Sequence, residues 1–157
     1  MKRIYISLIY ICCGCYVPGQ DIAHKGEPIP LVNLFLVDSV SYWNTSKIEE
    51  GKRTLVLMYR PSCPYSRTQI QYIIDDIEEF KDSQIIVVTT SAFGEMKKFS
   101  ERYALTRFSN VKVGLDYQNG FLNYFEVQTV PYIAIYDANN KLVNFFDGLT
   151  PVKRLKE

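Results

Sequence analysis

A chain of 157 residues, of which 47% are hydrophobic and 14% aromatic, is long enough to bury one core and too apolar to be disordered. Its 18 basic and 17 acidic residues give a formal charge of +1, and no run of Lys or Arg exceeds two residues. Such a distribution does not attract phosphate backbones, so nucleic acid is not an expected partner.

The first fifteen residues have the pattern of a bacterial signal peptide. Lys2 and Arg3 form a short positive region, residues 4–11 are apolar apart from Ser7, and small residues follow. The apolar stretch is much shorter than the roughly 20 residues that span a bilayer. This order of regions is typical of an export signal rather than of a permanent transmembrane helix.

Gly14 and Cys15 resemble the end of a lipobox, in which the signal is cut before a cysteine that then carries acyl chains. The residue three positions before Cys15 is Cys12 rather than the usual Leu. We predict a signal peptide with a lipobox over residues 1–15, lipidation of Cys15, and a lipid-anchored, periplasm-facing location in a bacterial cell envelope. A plain cleaved signal and a retained anchor are the alternatives. Cleavage and acylation would leave Cys63 as the free thiol of the exported protein.

Residues 16–30 contain three prolines and two glycines without periodicity, which predicts a linker between the membrane and a domain over residues 31–157. The histidine of the chain, His24, lies in this segment and is interpreted as a solvated linker residue without a role.

The first half of the predicted domain alternates strands and helices. Loose alternation over residues 31–42 predicts one or two early strands, and the apolar run 54–59 predicts a central strand buried on both faces. Isoleucines at helical spacing from Ile70 to Ile77, followed by Phe80, predict a helix. A second strand at 85–90 and an amphipathic helix at 95–103 follow, and this order favours parallel strands.

The second half predicts a change to antiparallel pairing. Residues 111–115 read as a strand, residues 121–125 as a short helix, and residues 131–136 as another buried strand. A turn at 137–141 then returns the chain as a hairpin over 142–146. The whole pattern indicates an α/β fold with a central mixed sheet flanked by helices and an N-terminal strand extension.

The most informative residue is Cys63, which follows the predicted central strand and begins the first long helix. Unpaired N–H groups and the helix dipole at this position stabilise an anion, so the pKa of the Cys63 thiol should be lowered. Arg60 and Arg67 would add to the effect if they point toward the sulfur.

Three stretches carry a resemblance to a known family: residues 50–52 ahead of the central strand, residues 59–66 around Cys63, and residues 124–137 around Pro131. Their order and spacing over residues 31–148 resemble the thioredoxin superfamily, specifically its membrane-tethered TlpA/ResA-like branch of thiol-disulfide oxidoreductases. The resemblance implies a thioredoxin-like fold. It also implies a cis proline at Pro131 beside the cysteine, with the backbone of Val130 free to pair with an extended substrate.

On this resemblance we assign catalytic roles to Cys63, Ser66 and Pro131, and substrate binding to Val130, Tyr65 and Pro64. The second cysteine of the family motif is Ser66 here, so the dithiol is absent and any turnover needs an external resolving thiol. The predicted function is monothiol exchange with thiols or disulfides of exported proteins. The alternative is a redox-inactive thioredoxin-fold lipoprotein that acts as a binding module for an exported partner.

Other chemistries are disfavoured by the residues around Cys63. A peroxidase of the peroxiredoxin type needs Thr or Ser three residues before its cysteine, and position 60 is Arg. The site resembles monothiol glutaredoxins in having Cys-x-x-Ser, but their surrounding motif is not matched. No His or second Cys lies nearby in sequence, so we predict no metal and no cofactor. The sequence makes no prediction of oligomeric state.

Overall fold

The structure is a computed structural model that describes residues 23–156. The predicted signal peptide, the predicted lipidation site Cys15 and residues 16–22 of the predicted linker lie outside the described residues. None of the helices described is long and apolar enough to cross a membrane.

The described residues form seven strands and four α-helices. In chain order they are β1 (Asn33–Leu36), β2 (Tyr42–Asn44), β3 (Arg53–Met58), α1 (Pro64–Asp75), β4 (Ser83–Thr89), α2 (Phe93–Arg102), β5 (Val111–Leu115), α3 (Gly120–Tyr124), β6 (Tyr132–Tyr136), β7 (Leu142–Asp147) and α4 (Val152–Leu155).

The strands make one mixed sheet in the order β2-β1-β5-β4-β3-β6-β7. β3 pairs with β4, and β4 with β5, in parallel, as the strand-helix alternation predicted. β6 pairs antiparallel with both β3 and β7, and β1 joins the opposite side antiparallel to β5 and β2. The predicted α/β thioredoxin-like architecture, with its N-terminal strand extension, is therefore confirmed.

Both faces of the sheet are covered because successive residues of a strand point to opposite sides. On one face Leu55 and Leu57 of β3 pack with α1 and α2 residues such as Ile73 and Met96. On the other face Val56 and Met58 belong to a second cluster. A strand buried on both sides reads as a continuous apolar run, which is why β3 was predictable.

The first long helix is shorter than its apolar pattern predicted. α1 ends at Asp75, and Ile77–Phe80 form a separate 3-10 turn after Asp76. Carboxylates at the carboxyl end of a helix oppose its dipole, and α1 has no basic residue in its last turn. Phe80 is still buried because the 3-10 turn directs it back to the core.

Residues near the start of the described chain pack against the domain. The Gly26 N–H donates to the Leu142 carbonyl at 2.8 Å, and the Ile29 N–H donates to the Asn140 carbonyl at 3.3 Å. His24 is not freely solvated, because its ring stacks on Tyr124 with centroids 4.2 Å apart. The described part of the predicted linker thus lies along the β6–β7 hairpin and α3.

Candidate functional site

Cys63 is the residue immediately before α1. Its extended backbone (φ −75°, ψ 123°) and Pro64 at the first helical position set the start of the helix. The Cys63 N–H donates to the Arg60 carbonyl at 2.9 Å, and the Arg67 N–H donates to the Cys63 carbonyl at 3.2 Å. The thiol therefore stands at the end of α1 where the backbone N–H groups are unpaired.

The pKa of the Cys63 thiol lies below its ordinary value. Partial burial acts to raise this pKa, but hydrogen bonds from the Ser66 N–H, the Ser66 hydroxyl and the Tyr65 N–H, together with the charge of Arg60, outweigh burial. The same Ser66 hydroxyl oxygen accepts from the Arg60 N–H at 3.3 Å, which fixes its position. The site consequently favours a thiolate.

The two arginines have different contacts. Arg60 contributes to lowering the pKa of Cys63 through its charge. Arg67 instead donates through Nη1 to the Pro61 carbonyl at 3.2 Å and the Ser62 carbonyl at 3.0 Å. These hydrogen bonds fix the backbone of the two residues that precede Cys63.

The loop before β6 lies against the sulfur. The Val130–Pro131 peptide bond is cis. The Cys63 thiol donates to the Val130 carbonyl, with Sγ and O 3.5 Å apart. The Val130 N–H has no acceptor among residues 23–156. Three of the residues singled out from the sequence, Cys63, Val130 and Pro131, are thus brought together from positions 67 residues apart.

A groove of about 290 Å³, here called the cysteine groove, opens beside Cys63 and Val130. Pro64 and Tyr65 are not part of its wall; both are exposed on the first turn of α1, Tyr65 by 61%. Ser66 and Pro131 are buried and likewise lie outside the lining. Sequence reasoning missed much of the wall, which also contains Met58, Tyr59, Val88, Thr89, Thr90, Leu122, Val127, Gln128 and Thr129.

One signal could have identified part of that wall. Met58 ends β3 and Thr89 ends β4, and these neighbouring strands are parallel. Carboxyl ends of adjacent parallel strands meet at one edge of a sheet, where α/β proteins commonly bind ligands. Residues 127–129 lie in the stretch 124–137 that carries the family resemblance, but no local pattern places them in the wall, because their approach depends on how β6 pairs with β3.

A buried hydrogen-bond chain connects the cis-proline loop to α1. The Gly148 N–H donates to the Pro131 carbonyl at 2.8 Å. Two residues later, the Thr150 N–H donates to the Gln69 side-chain oxygen at 2.7 Å, and the Gln69 amide donates to the Thr150 carbonyl at 3.0 Å. Gln69 is fully buried on α1, and its place on the helical face that contains Ser66 and Ile73 was the available signal.

Within residues 23–156, no three or more His, Cys, Asp and Glu side chains are grouped so that they could hold a metal ion.

Three features together define the class of thioredoxin-like proteins: a mixed sheet, a cysteine at the N-terminus of α1, and a cis proline next to the residue that contacts the cysteine sulfur. The family model described as the AhpC/TSA family matches residues 26–145. The chain therefore belongs to the AhpC/TSA family. A search of curated proteins found no match.

Solved structures with a similar fold include bacterial thiol-disulfide proteins. The thioredoxin domain of a thiol-disulfide oxidoreductase from Bacteroides vulgatus is 20% identical with a TM-score of 0.67, covering 84% of this chain and 92% of that one. A secreted disulfide oxidoreductase of Mycobacterium tuberculosis homologous to E. coli DsbE is 16% identical, TM-score 0.65, over 79% and 90%. The exposed lipoprotein thioredoxin of Streptococcus pneumoniae is 17% identical, TM-score 0.64, over 80% and 94%. At these identities the likeness establishes the fold.

Proposed function

We propose that the protein performs monothiol thiol-disulfide exchange through Cys63, acting on thiols or disulfides of exported proteins. The observation that carries this proposal is the Cys63 thiol, which has a lowered pKa and stands in the wall of an open groove. The names of the structural relatives, which include disulfide oxidoreductases, agree with this chemistry.

The first step is attack of the Cys63 thiolate on one sulfur of a substrate disulfide. A new S–S bond joins Cys63 to that sulfur, the substrate S–S bond breaks, and the second substrate sulfur leaves as a thiolate that takes a proton from water. The Val130 N–H, which has no acceptor among the described residues, is available to pair with an extended substrate backbone. Val130 and Pro131 thereby shape the place where the substrate lies.

The second step needs a thiol from outside the protein. Its thiolate attacks the mixed disulfide, forms an S–S bond with the substrate sulfur, and releases Cys63 as a thiolate. Ser66 cannot perform this step because a hydroxyl does not form a disulfide. Its role is to donate a hydrogen bond to the Cys63 thiolate before and after the exchange.

The proposed location is the periplasm-facing side of a bacterial cell envelope, with Cys15 as the lipid anchor. The signal pattern of residues 1–15 supports export, and the short apolar stretch within it supports cleavage rather than membrane spanning. Relatives named as secreted or as an exposed lipoprotein agree with this location. Membership of the TlpA/ResA-like branch is proposed on the same grounds.

Capture of a disulfide-bearing peptide tests the chemistry. We expect the purified protein to form a stoichiometric adduct, mapped by mass spectrometry to Cys63, and to lose it only when 2-mercaptoethanol is added. Cys63→Ser should form no adduct at this position. Ser66→Cys should release the peptide without added thiol, because the new thiolate attacks the mixed disulfide from within the protein.

The absence of an adduct in protein that is folded by circular dichroism would rule out the exchange. The cysteine groove would then serve a redox-inactive binding module for an exported partner. A peroxidase is not proposed, since an exposed Arg60 stands where that chemistry needs a hydroxyl to orient the peroxide.

A further inference from the structure

A second groove, here called the aromatic groove, lies beside the cysteine groove. It has a volume of about 500 Å³, within the range of sites that hold ligands. Phe125, Tyr132 and Phe145 line it. The Tyr132 ring stacks on Phe145 with centroids 5.5 Å apart and packs against Phe125 at 5.2 Å. These contacts hold the rings in place, so the groove is formed before any ligand arrives.

The two grooves share a wall. Val127, Gln128 and Thr129 line both of them. The shared wall is three residues long, and three residues of chain span at most about 10 Å. An extended substrate segment covers the same distance with about three residues. A peptide whose cysteine contacts Cys63 can therefore place a side chain about three positions away in the aromatic groove.

The rim of the aromatic groove is acidic. Glu126 and Asp147 line it, both are exposed, and neither forms an ion pair within residues 23–156. Among the residues that the structure describes, no Lys or Arg lines the groove. His24, also in the lining, lies 3.0 Å from a carboxylate oxygen of Glu27 and so is already partnered. The charge of the rim thus complements a cation.

We propose that the aromatic groove selects the substrate. It receives an aromatic or large apolar side chain located about three residues from the cysteine that exchanges with Cys63, and its rim pairs with a neighbouring Lys or Arg of the same substrate. This inference rests on the proposed exchange at Cys63. It assigns the substrate class as exported proteins whose reactive cysteine lies in an extended segment with an aromatic and a basic residue nearby.

Rates of capture by Cys63 test this selection with peptides activated as disulfides to a coloured leaving thiol. One series moves a Phe-Lys pair from one to five positions away from the cysteine on either side. Matched peptides replace Phe by Ala, or Lys by Glu. We expect the fastest capture near three positions, about tenfold faster with Phe than with Ala, as burial of an aromatic side chain implies.

Two variants locate the effect. Phe145→Ala should remove most of the Phe preference by opening the stack on Tyr132. Asp147→Lys should reverse the charge preference, so that the Glu peptide is captured roughly two- to fivefold faster than the Lys peptide. A ratio of this size is typical of exposed ion pairs. Asp82→Lys, an exposed change at the opposite end of β4 from the groove, should leave both preferences unaltered.

The outcomes separate the two proposals. Capture of every peptide at the same rate, in the wild type and in both variants, would overturn substrate selection while leaving the exchange at Cys63 intact. The groove would then be filled by another part of this chain or by a second copy. Failure to capture any peptide would instead overturn the exchange on which the selection rests.

Discussion

Ser66 is a hydrogen-bond partner of the Cys63 thiolate and contributes to the lowered pKa of that thiol. It lies three residues after Cys63 and is fully buried. Its hydroxyl oxygen accepts a hydrogen bond from the Arg60 N–H, and its own N–H and hydroxyl donate to the Cys63 thiolate. A cysteine at this position would supply a second redox sulfur, whereas the hydroxyl supplies only a hydrogen bond. Among the described residues the site therefore has one thiol, Cys63, and its pKa is lowered.

Ser66→Ala should raise the pKa of Cys63. The pKa is lowered in part by a hydrogen bond from this hydroxyl to the thiolate, so its loss favours the protonated thiol and reduces the reactive fraction at neutral pH. The midpoint of the iodoacetamide reaction rate at Cys63 against pH measures the change.

Thr68→Ala provides the matched control for that experiment. Thr68 also carries a hydroxyl on the first part of α1, but it donates to the Pro64 carbonyl at 3.2 Å. Its removal should leave the midpoint unchanged. Equal midpoints for the wild type and Ser66→Ala, with both proteins folded, would contradict the role assigned to Ser66.

At the scale of elements, the site is held by the contact between α1 and the segment after β7. Gln69 makes two hydrogen bonds with the backbone of Thr150, and the Gly148 N–H bonds the Pro131 carbonyl. These bonds connect the helix that carries the cysteine to the loop that lies against its sulfur. They lie in a buried region, where an unpaired polar group is costly.

Gln69→Leu should destabilise the fold by about 2–4 kcal/mol, because it leaves both the N–H and the carbonyl of Thr150 without partners. Urea denaturation followed by circular dichroism measures the free energy of unfolding. Gln71→Leu is the matched control, since Gln71 is exposed on the same helix and, within residues 23–156, its side chain bonds only Asp75. It should change the free energy by less than about 0.5 kcal/mol. Similar losses in both variants would contradict the argument.

The elements themselves were largely predictable from local pattern. β3, β4 and β6 are buried on both faces and therefore read as continuous apolar runs, and α2 shows one apolar face. The position of Cys63 followed from the same pattern, because a strand ended and a helix began around it. The break between α1 and the 3-10 turn at Asp76 was missed, since Ile77 and Phe80 continue the helical spacing.

What local pattern could not predict is contact between distant segments. The walls of both grooves include residues 127–129, which reach Cys63 only because β6 pairs with β3. His24 looked like a linker residue because its neighbours in sequence are polar residues, prolines and glycines. Its stacking on Tyr124 joins residues 100 positions apart, and no periodicity in either segment signals it.

At the scale of the whole molecule, one sheet serves two cores. β6 places Ile133 and Ile135 in the cluster beneath α1 and α2, and Tyr132, Ala134 and Tyr136 in the cluster on the opposite face. The central strands contribute residues to both clusters. Loss of packing on one face would therefore destabilise the strands on which the other cluster is built. The domain should therefore unfold as a cooperative unit.

Trp43, the one tryptophan of the chain, allows this cooperativity to be measured. It belongs to the cluster on the face opposite α1, so its fluorescence reports one core while far-ultraviolet circular dichroism is dominated by the helices. We expect coincident urea transitions by the two probes. Ile73→Val, a change of one buried methyl group on α1, should cost about 0.5–1.5 kcal/mol and shift both transitions equally, although Trp43 is across the sheet. A shift seen by circular dichroism alone would show that the two faces unfold separately.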